Sequence, residues 1–144
     1  MQCTGDFKVT LCAALLASSS FLLAQTSVVP PSKLAGHYSF TKGKKAEVFE
    51  VELTGINVDG DKVSGVLSKF RNPSGNCISE NTPFKGTYKD GELNVKSDAL
   101  KSQRADEEGC GRGVAIVAKL VGDRWNGTLT TGRGEPWALD LAAK

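Results

Sequence analysis

The connections between the strand-like runs of this chain constrain its fold more than any other feature of the sequence. About eight short runs of alternating apolar and polar residues follow one another, and none after residue 24 has a helical period. Tight and longer connectors alternate between these runs. The tight connectors are 59–61, 89–91 and 122–123, and the longer ones are 41–45, 71–83, 101–112 and 131–136. Alternate connectors of an up-and-down antiparallel sheet lie at opposite ends, so the long loops are predicted to gather at one end.

The strand pattern predicts an all-β fold. The predicted strands are 36–40, 47–58, 62–70, 84–89, 92–96, 114–121, 124–130 and 137–141. In the longest strand Phe49, Val51 and Leu53 share one face, and after Gly55 the apolar phase shifts to Ile56, which predicts a bulge or sharp bend. Antiparallel strands leave exposed edges unless the sheet closes. We therefore predict an eight-stranded antiparallel up-and-down barrel, with a β-sandwich as the alternative.

The first residues have the features of an export signal. Lys8 precedes an apolar stretch, 9–24, that ends on the small residue Ala24. This order is typical of a secretory signal peptide, and the stretch is too short and Ser-rich for a comfortable membrane span. An uncleaved anchor is the alternative. We predict a signal-peptide helix and a periplasmic or secreted mature protein with no membrane span. The predicted division is 1–24 signal peptide, 25–33 flexible lead-in and 34–144 single β-barrel domain.

Two cysteines remain after the predicted cleavage. Cys77 and Cys110 both fall in the long connectors, and two cysteines of an exported chain most simply pair with each other. Such a disulfide would hold two long loops in fixed relative positions. Compensation for the entropy of those loops is an equally good reason for the bond.

The long connectors also collect basic residues. These are Lys42, Lys44, Lys45, Arg71, Arg104, Arg112 and Arg133. Arg112 and Arg133 each lie between two glycines, and a guanidinium presents a planar fork that suits a carboxylate or phosphate. We predict an anion or acidic protein surface bound at this end, with Arg112, Arg133, Arg71, Arg104 and Lys44 as the binding residues. In the alternative, the glycines serve turns and the arginines keep the loops soluble.

Acidic residues of the long loops offer a different chemistry. Glu80, Glu108 and Glu135 lie in three connectors of the same end. Two carboxylates across a groove can hydrolyse glycosides, and a carboxylate cluster can bind calcium, although a charge run is more often a solvated loop. The single histidine, His37, is predicted to be structural and to lie on the opposite strand face from Tyr38. No metal or cofactor is predicted.

The run 86–93, Gly-Thr-Tyr-Lys-Asp-Gly-Glu-Leu, is typical of the hairpins of small barrels. With its connectors and strand lengths, the mature chain resembles the calycin and avidin-like barrels in architecture. The resemblance implies no particular ligand, because Gly36-His37-Tyr38 stands where a lipocalin has its Gly-x-Trp signature. Trp125 and Trp137 are expected to anchor the core, since small barrels fill their interiors with side chains.

These observations favour an exported, monomeric, non-enzymatic binding protein. Its long-loop end is predicted to bind a small or anionic ligand or a protein partner. A net charge of +2 is too balanced for a nucleic-acid binder. The alternatives are a carboxylate-based hydrolase, a structural envelope protein, or an enzyme inhibitor similar in size, export and disulfide to the small periplasmic barrels that inhibit lysozymes.

Overall fold

A computed structural model describes residues 28–103, 108–132, 134 and 136–144, without the side chains of residues 108 and 109. The predicted signal peptide lies outside the described residues. Within them, no helix is long and apolar enough to cross a membrane.

The described chain is built almost wholly from strands. They are β1 (Leu34–Lys42), β2 (Lys45–Asp59), β3 (Lys62–Arg71), β4 (Cys77–Ser79), β5 (Thr82–Lys89), β6 (Glu92–Ser97), β7 (Lys101–Ser102), β8 (Val114–Val121), β9 (Arg124–Thr131) and β10 (Trp137–Ala143), with a 3-10 helix, η1, at Glu108–Arg112. Each of the eight predicted strands lies inside one of these, which confirms the all-β prediction. The short strands β4 and β7 were not predicted.

Eight of the strands close into a barrel. The order β2-β1-β10-β9-β8-β6-β5-β3 is antiparallel throughout, and the pairing of β2 with β3 completes the circle. The barrel prediction is thus confirmed over the sandwich alternative. β5 pairs with the first part of β3, and β4 pairs with the last two residues of the same strand. β7 in turn pairs with β4, so β4 and β7 form a small extension at one end of the barrel.

The two ends of the barrel differ as predicted, with one correction. The turns at 60–61, 90–91 and 122–123 share the end that we call the closed end, and the connectors 72–76, 103–113 and 132–136 share the other, the mouth. The connector 41–45, predicted to be long, is instead the two-residue turn Gly43-Lys44. The prediction was wrong because both strands continue to the cross-strand pair Lys42–Lys45, and Gly43 supplies the positive φ, 63°, that so short a turn needs.

Side chains fill the barrel interior. Strand positions of one phase point inward and are buried, among them Tyr38, Leu53, Leu67, Trp125 and Leu129. The space enclosed near the middle by Leu53, Leu67, Phe84 and their neighbours is too small for a water molecule. This central space is therefore also too small for a ligand. Trp125 is 3% exposed, which confirms its place in the core.

Two glycines allow the sheet to coil tightly. The register of β2 against β3 shifts between Thr54 and Asn57, at Gly55 with φ 59°, which confirms the predicted bulge. On β9, a Cβ atom at Gly127 would overlap the carbonyl oxygen of Val117 on β8. The close approach of these two strands therefore requires glycine at position 127.

Residues 28–33 lie across the closed end. Pro30 is buried there, the Tyr88 hydroxyl donates to the Val28 carbonyl, and the Ile56 N–H donates to the Ser32 carbonyl at 3.0 Å. At the other end of the described chain, the Lys144 N–H donates to the Lys33 carbonyl at 3.3 Å. Both ends of the described chain are therefore attached to the closed end.

Candidate functional site

A group of stacked aromatic rings seals the barrel just below the mouth. This aromatic plug consists of Tyr38, Phe40, Phe49, Phe70 and Trp137. The Tyr38 ring is stacked between its neighbours, with centroids 5.2 Å from Phe49 and 5.1 Å from Trp137. Its hydroxyl donates to the Arg71 carbonyl. The plug thus ties β1, β2, β3 and β10 together and gives the mouth a firm floor.

The Tyr38 phenol is held in its neutral form. The side chain is fully buried, and this burial raises the pKa of Tyr38 well above its usual value, while the nearby Arg71 charge opposes the shift only in part. A neutral phenol can keep donating to the Arg71 carbonyl at high pH. The hydrogen bond therefore fixes the last residue of β3, from which the loop 72–76 departs.

Above the plug, the hairpin of β1 and β2 extends beyond its neighbours. β1 pairs with β10 only as far as Ser39, whereas β2 pairs with β3 only from Glu52 onward. Residues 40–42 and 45–47 consequently pair with each other alone, and residues 48–51 pair only with residues 36–39 of β1, within the described part of the chain. We call residues 40–51 the projecting hairpin.

A groove lies between the projecting hairpin and the loop 72–76. It encloses about 430 Å³ and is lined by Phe40, Lys42, Lys45, Glu47, Pro73 and Ser74. The strand residues of this lining have the same phase as the buried core positions. Lys42, Lys45 and Glu47 carry charges because they lie above the plug, where the inner face of the hairpin meets solvent. The apolar interior of the barrel thus ends at the plug, and a polar recess lies above the plug at the mouth.

The loop that forms the far wall of the groove is internally braced. The Asn72 N–H donates to the Cys77 carbonyl, and the Cys77 N–H donates back to the Asn72 side-chain oxygen, both at 3.0 Å. The Gly75 N–H donates to the Asn72 carbonyl at 2.9 Å, and the Arg71 guanidinium lies against Gly75. These bonds hold the loop in one conformation beside the hairpin.

A disulfide anchors the same region. Cys77 of β4 is bonded to Cys110 of η1, and both are buried, which confirms the predicted pair. The bond joins the strand that follows the loop 72–76 to the helix that precedes β8. The extension of β4 and β7 is therefore cross-linked to the rest of the mouth.

Charge at the groove is unbalanced. Lys42, Lys44 and Lys45 are all exposed, and none forms an ion pair with another residue that the structure describes. Glu47 is the single acidic side chain in the described lining of the groove. The inner face and tip of the hairpin therefore present uncompensated positive charge.

The outer face of the barrel around His37 is different, because its charges pair across strands. Arg124 donates both its Nε and an Nη to Asp140, at 2.7 and 2.8 Å, and Lys69 pairs with Glu50. The hydrogen bond from Lys69, together with its charge, lowers the pKa of Glu50. A shallow recess of about 280 Å³ runs over this face and includes His37, which is exposed and lies on the opposite strand face from the buried Tyr38. Exposed charges that pair with each other are typical of a solvated surface.

The structure places three of the five predicted binding residues. Lys44 lies at the tip of the projecting hairpin, Arg71 braces the loop 72–76, and Arg112 ends η1, which packs against β4, β7 and β9. Arg104 and Arg133 lie outside the described residues. The described lining of the groove includes none of these three residues, although Lys44 precedes the lining residue Lys45 and Arg71 lies two positions before Pro73.

Sequence reasoning missed Phe40, Glu47, Pro73 and Ser74 as lining residues. A signal existed for the first two, since both follow the inward phase of their strands. Among the predicted acids, Glu80 pairs with Lys101 at 2.9 Å, whereas Glu135 and the side chain of Glu108 lie outside the described residues. No cluster of three potential metal-ligating side chains occurs in the part of the chain that the structure describes.

The closed eight-stranded antiparallel barrel is consistent with a calycin-like architecture. That likeness concerns strand number, direction and closure. The features of the mouth, namely the projecting hairpin and the braced loop, are therefore interpreted from their own geometry and charge. The chain matches no family model, no curated protein and no solved structure.

Proposed function

We propose that this chain is an exported, non-enzymatic binding protein that holds an acidic surface of a partner protein in the groove at its mouth. The observation that carries the proposal is the position of the uncompensated lysines. Lys42 and Lys45 line a recess that opens to solvent, above a barrel whose interior is filled. Recognition therefore takes place on the mouth surface and not inside the barrel.

The rigidity of the mouth supports this proposal. The aromatic plug, the hydrogen bonds of the loop 72–76 and the disulfide hold both walls of the groove before any partner arrives. A preorganised surface loses less conformational entropy on association, so that more of the contact energy appears as affinity. Lysines that form no ion pair with a described residue also attract an acidic partner over longer distances and speed its association.

The described groove gives less support to hydrolysis. Glycoside hydrolysis uses two carboxyl groups placed on either side of the scissile bond. Glu47 is the one carboxylate in the described lining, and the loop 72–76 opposite contributes Pro73 and Ser74. Binding without turnover fits these side chains better, and inhibition of an enzyme is one form that such binding would take.

Charge reversal at the mouth tests the proposal. We expect the double variant Lys42→Glu, Lys45→Glu of residues 25–144 to lose a partner from the exported protein fraction that the wild type retains on a column. The matched control is Lys62→Glu, Lys89→Glu, which makes the same charge change at the closed end. Each lost charge contact at a desolvated site should weaken binding about tenfold, and added salt should weaken wild-type binding in the same direction.

The purified partner would then be measured against all three proteins by calorimetry. Equal affinity of the wild type and the mouth variant would overturn the proposal. So would equal losses in the mouth variant and the closed-end variant, since the mouth would then have no special role.

A further inference from the structure

One edge of the projecting hairpin is unpaired along seven residues. β2 pairs with β1 over its residues 45–51, but no described strand pairs with the other edge of this segment. At about 3.3 Å per residue the open edge is about 23 Å long. In an antiparallel pair every second residue directs its N–H and C=O away from the partner strand, so this edge presents a row of unused hydrogen-bonding groups.

The groove adjoins the open edge. The pairing of β2 with β3 ends at the pair Glu52–Lys69, and Phe70 and Arg71 of β3 pair with β4 through the other edge of β3. The groove lies over the inner face of the hairpin, between that face and the loop 72–76, next to the unpaired edge of β2. An exposed edge beside a preformed groove is the geometry in which an extended peptide adds itself to a sheet.

The side chains along the open edge define which strand fits. On the inner face lie Lys45, Glu47 and Phe49. On the outer face Val48 is 61% exposed and Glu50 pairs with Lys69 of β3. Opposite Val48 on β1 stands only Ser39. A β-branched or apolar side chain from an added strand would cover Val48, and an acidic one would meet Lys45.

We propose that the partner binds by adding an extended, acidic segment to the open edge of β2 at residues 45–51. This rests on the proposed function and specifies how the groove is used. The main-chain hydrogen bonds provide affinity, and the lysines select acidic side chains on the inner face. The segment carries an apolar or β-branched residue where it passes Val48.

Backbone-modified peptides test this inference. The probe is a short extended peptide of Thr and Val with glutamates on one face. Its matched control has the same side chains but N-methyl groups on the backbone nitrogens of one edge, which remove the donors while keeping the charge. We expect the control to bind at least about tenfold more weakly, since each main-chain hydrogen bond contributes up to a factor of about ten. Amide hydrogen exchange of residues 45–51 should slow only with the unmodified peptide.

The possible outcomes separate the two proposals. Equal binding of both peptides, lost in Lys42→Glu, Lys45→Glu, would overturn strand addition and leave an electrostatic site at the mouth. Binding by neither peptide, or binding that is unaffected by the charge reversal, would also overturn strand addition, and the column experiment would then decide the proposed function alone. A concentration-dependent dimer that protects residues 45–51 without peptide would assign the edge to a second copy of the chain and overturn the acidic partner.

Discussion

At Tyr38 a single side chain joins the floor of the mouth to its far wall. The ring stacks on Phe49, Phe70 and Trp137, and the hydroxyl donates to the carbonyl of Arg71, where β3 ends. Ionisation of this phenol would remove the donor and place a charge among apolar rings. The stability of the protein should therefore depend on the Tyr38 proton at alkaline pH.

The direction of that dependence follows from the pKa of Tyr38, which is raised in the folded state. The unfolded chain releases this proton near pH 10, whereas the folded chain keeps it, so stability is complete below about pH 10 and falls as the pH rises further. We expect Tyr38→Phe to flatten this fall, measured as the free energy of unfolding in urea at several pH values. Part of the slope should remain, because burial also raises the pKa of Tyr88. An unchanged slope in the variant would contradict the prediction.

Gly127 is a second residue whose identity is fixed by its surroundings. A Cβ atom there would overlap the Val117 carbonyl, so Gly127→Ala must push β9 away from β8. We expect a loss of roughly 1–3 kcal/mol in the free energy of unfolding. Gly111→Ala is the matched control, since nothing lies within 4 Å of its added methyl group and its stability should stay within about 0.5 kcal/mol of the wild type. Similar losses in both variants would show that the close approach is not the cause.

At the scale of elements, the Cys77–Cys110 bond closes a loop whose cysteines are separated by 33 positions. Loop entropy predicts that the reduced protein is less stable by roughly 3–4 kcal/mol. The measurement is urea unfolding of the wild type with and without reductant, with the Cys77→Ala, Cys110→Ala variant as a check. The variant should match the reduced wild type and should not respond to reductant. A response of the variant would assign the effect of the reductant to another cause.

The strands could be predicted because apolar residues that point into the filled core alternate with polar residues that point to solvent. The prediction for 41–45 was wrong because this part of the hairpin lies above the aromatic plug, where inward positions carry Lys42, Lys45 and Glu47 and the apolar alternation disappears. β4 and β7 escaped prediction because strands of three and two residues contain no period. The Gly55 bulge was predictable, since it leaves a phase shift in the sequence itself.

At the scale of the whole molecule, the predicted asymmetry of the two ends is borne out by the later connectors. The groove could not be predicted, because it depends on the residues at which β10 stops pairing with β1 and β3 stops pairing with β2. The sequence of a strand does not specify where its pairing with a neighbour ends. Sequence reasoning could gather Lys42, Lys44 and Lys45 at one end. It could not tell that two of them line a recess opposite Pro73.

The closed end provides a prediction of its own. Deletion of residues 28–31 removes the buried Pro30 and the acceptor of the Tyr88 hydroxyl. We expect a loss of about 2–3 kcal/mol from apolar burial and one hydrogen bond, read from urea unfolding of residues 32–144 against 28–144. Binding at the mouth should be unchanged in the folded fraction. Equal stability of the two proteins would mean that residues 28–31 contribute nothing to the closed end.

The hydrogen bond between Lys144 and Lys33 brings the residues before β1 and after β10 side by side, at the end of the barrel opposite the groove. A molecule attached through either terminus, whether to a sensor chip, a fused domain or a cell surface, would point its groove away from the point of attachment. Two copies joined in tandem would likewise leave both grooves free. The same adjacency should allow the two termini to be linked and the chain reopened at the Asp90-Gly91 turn, without disturbing a single residue of the mouth.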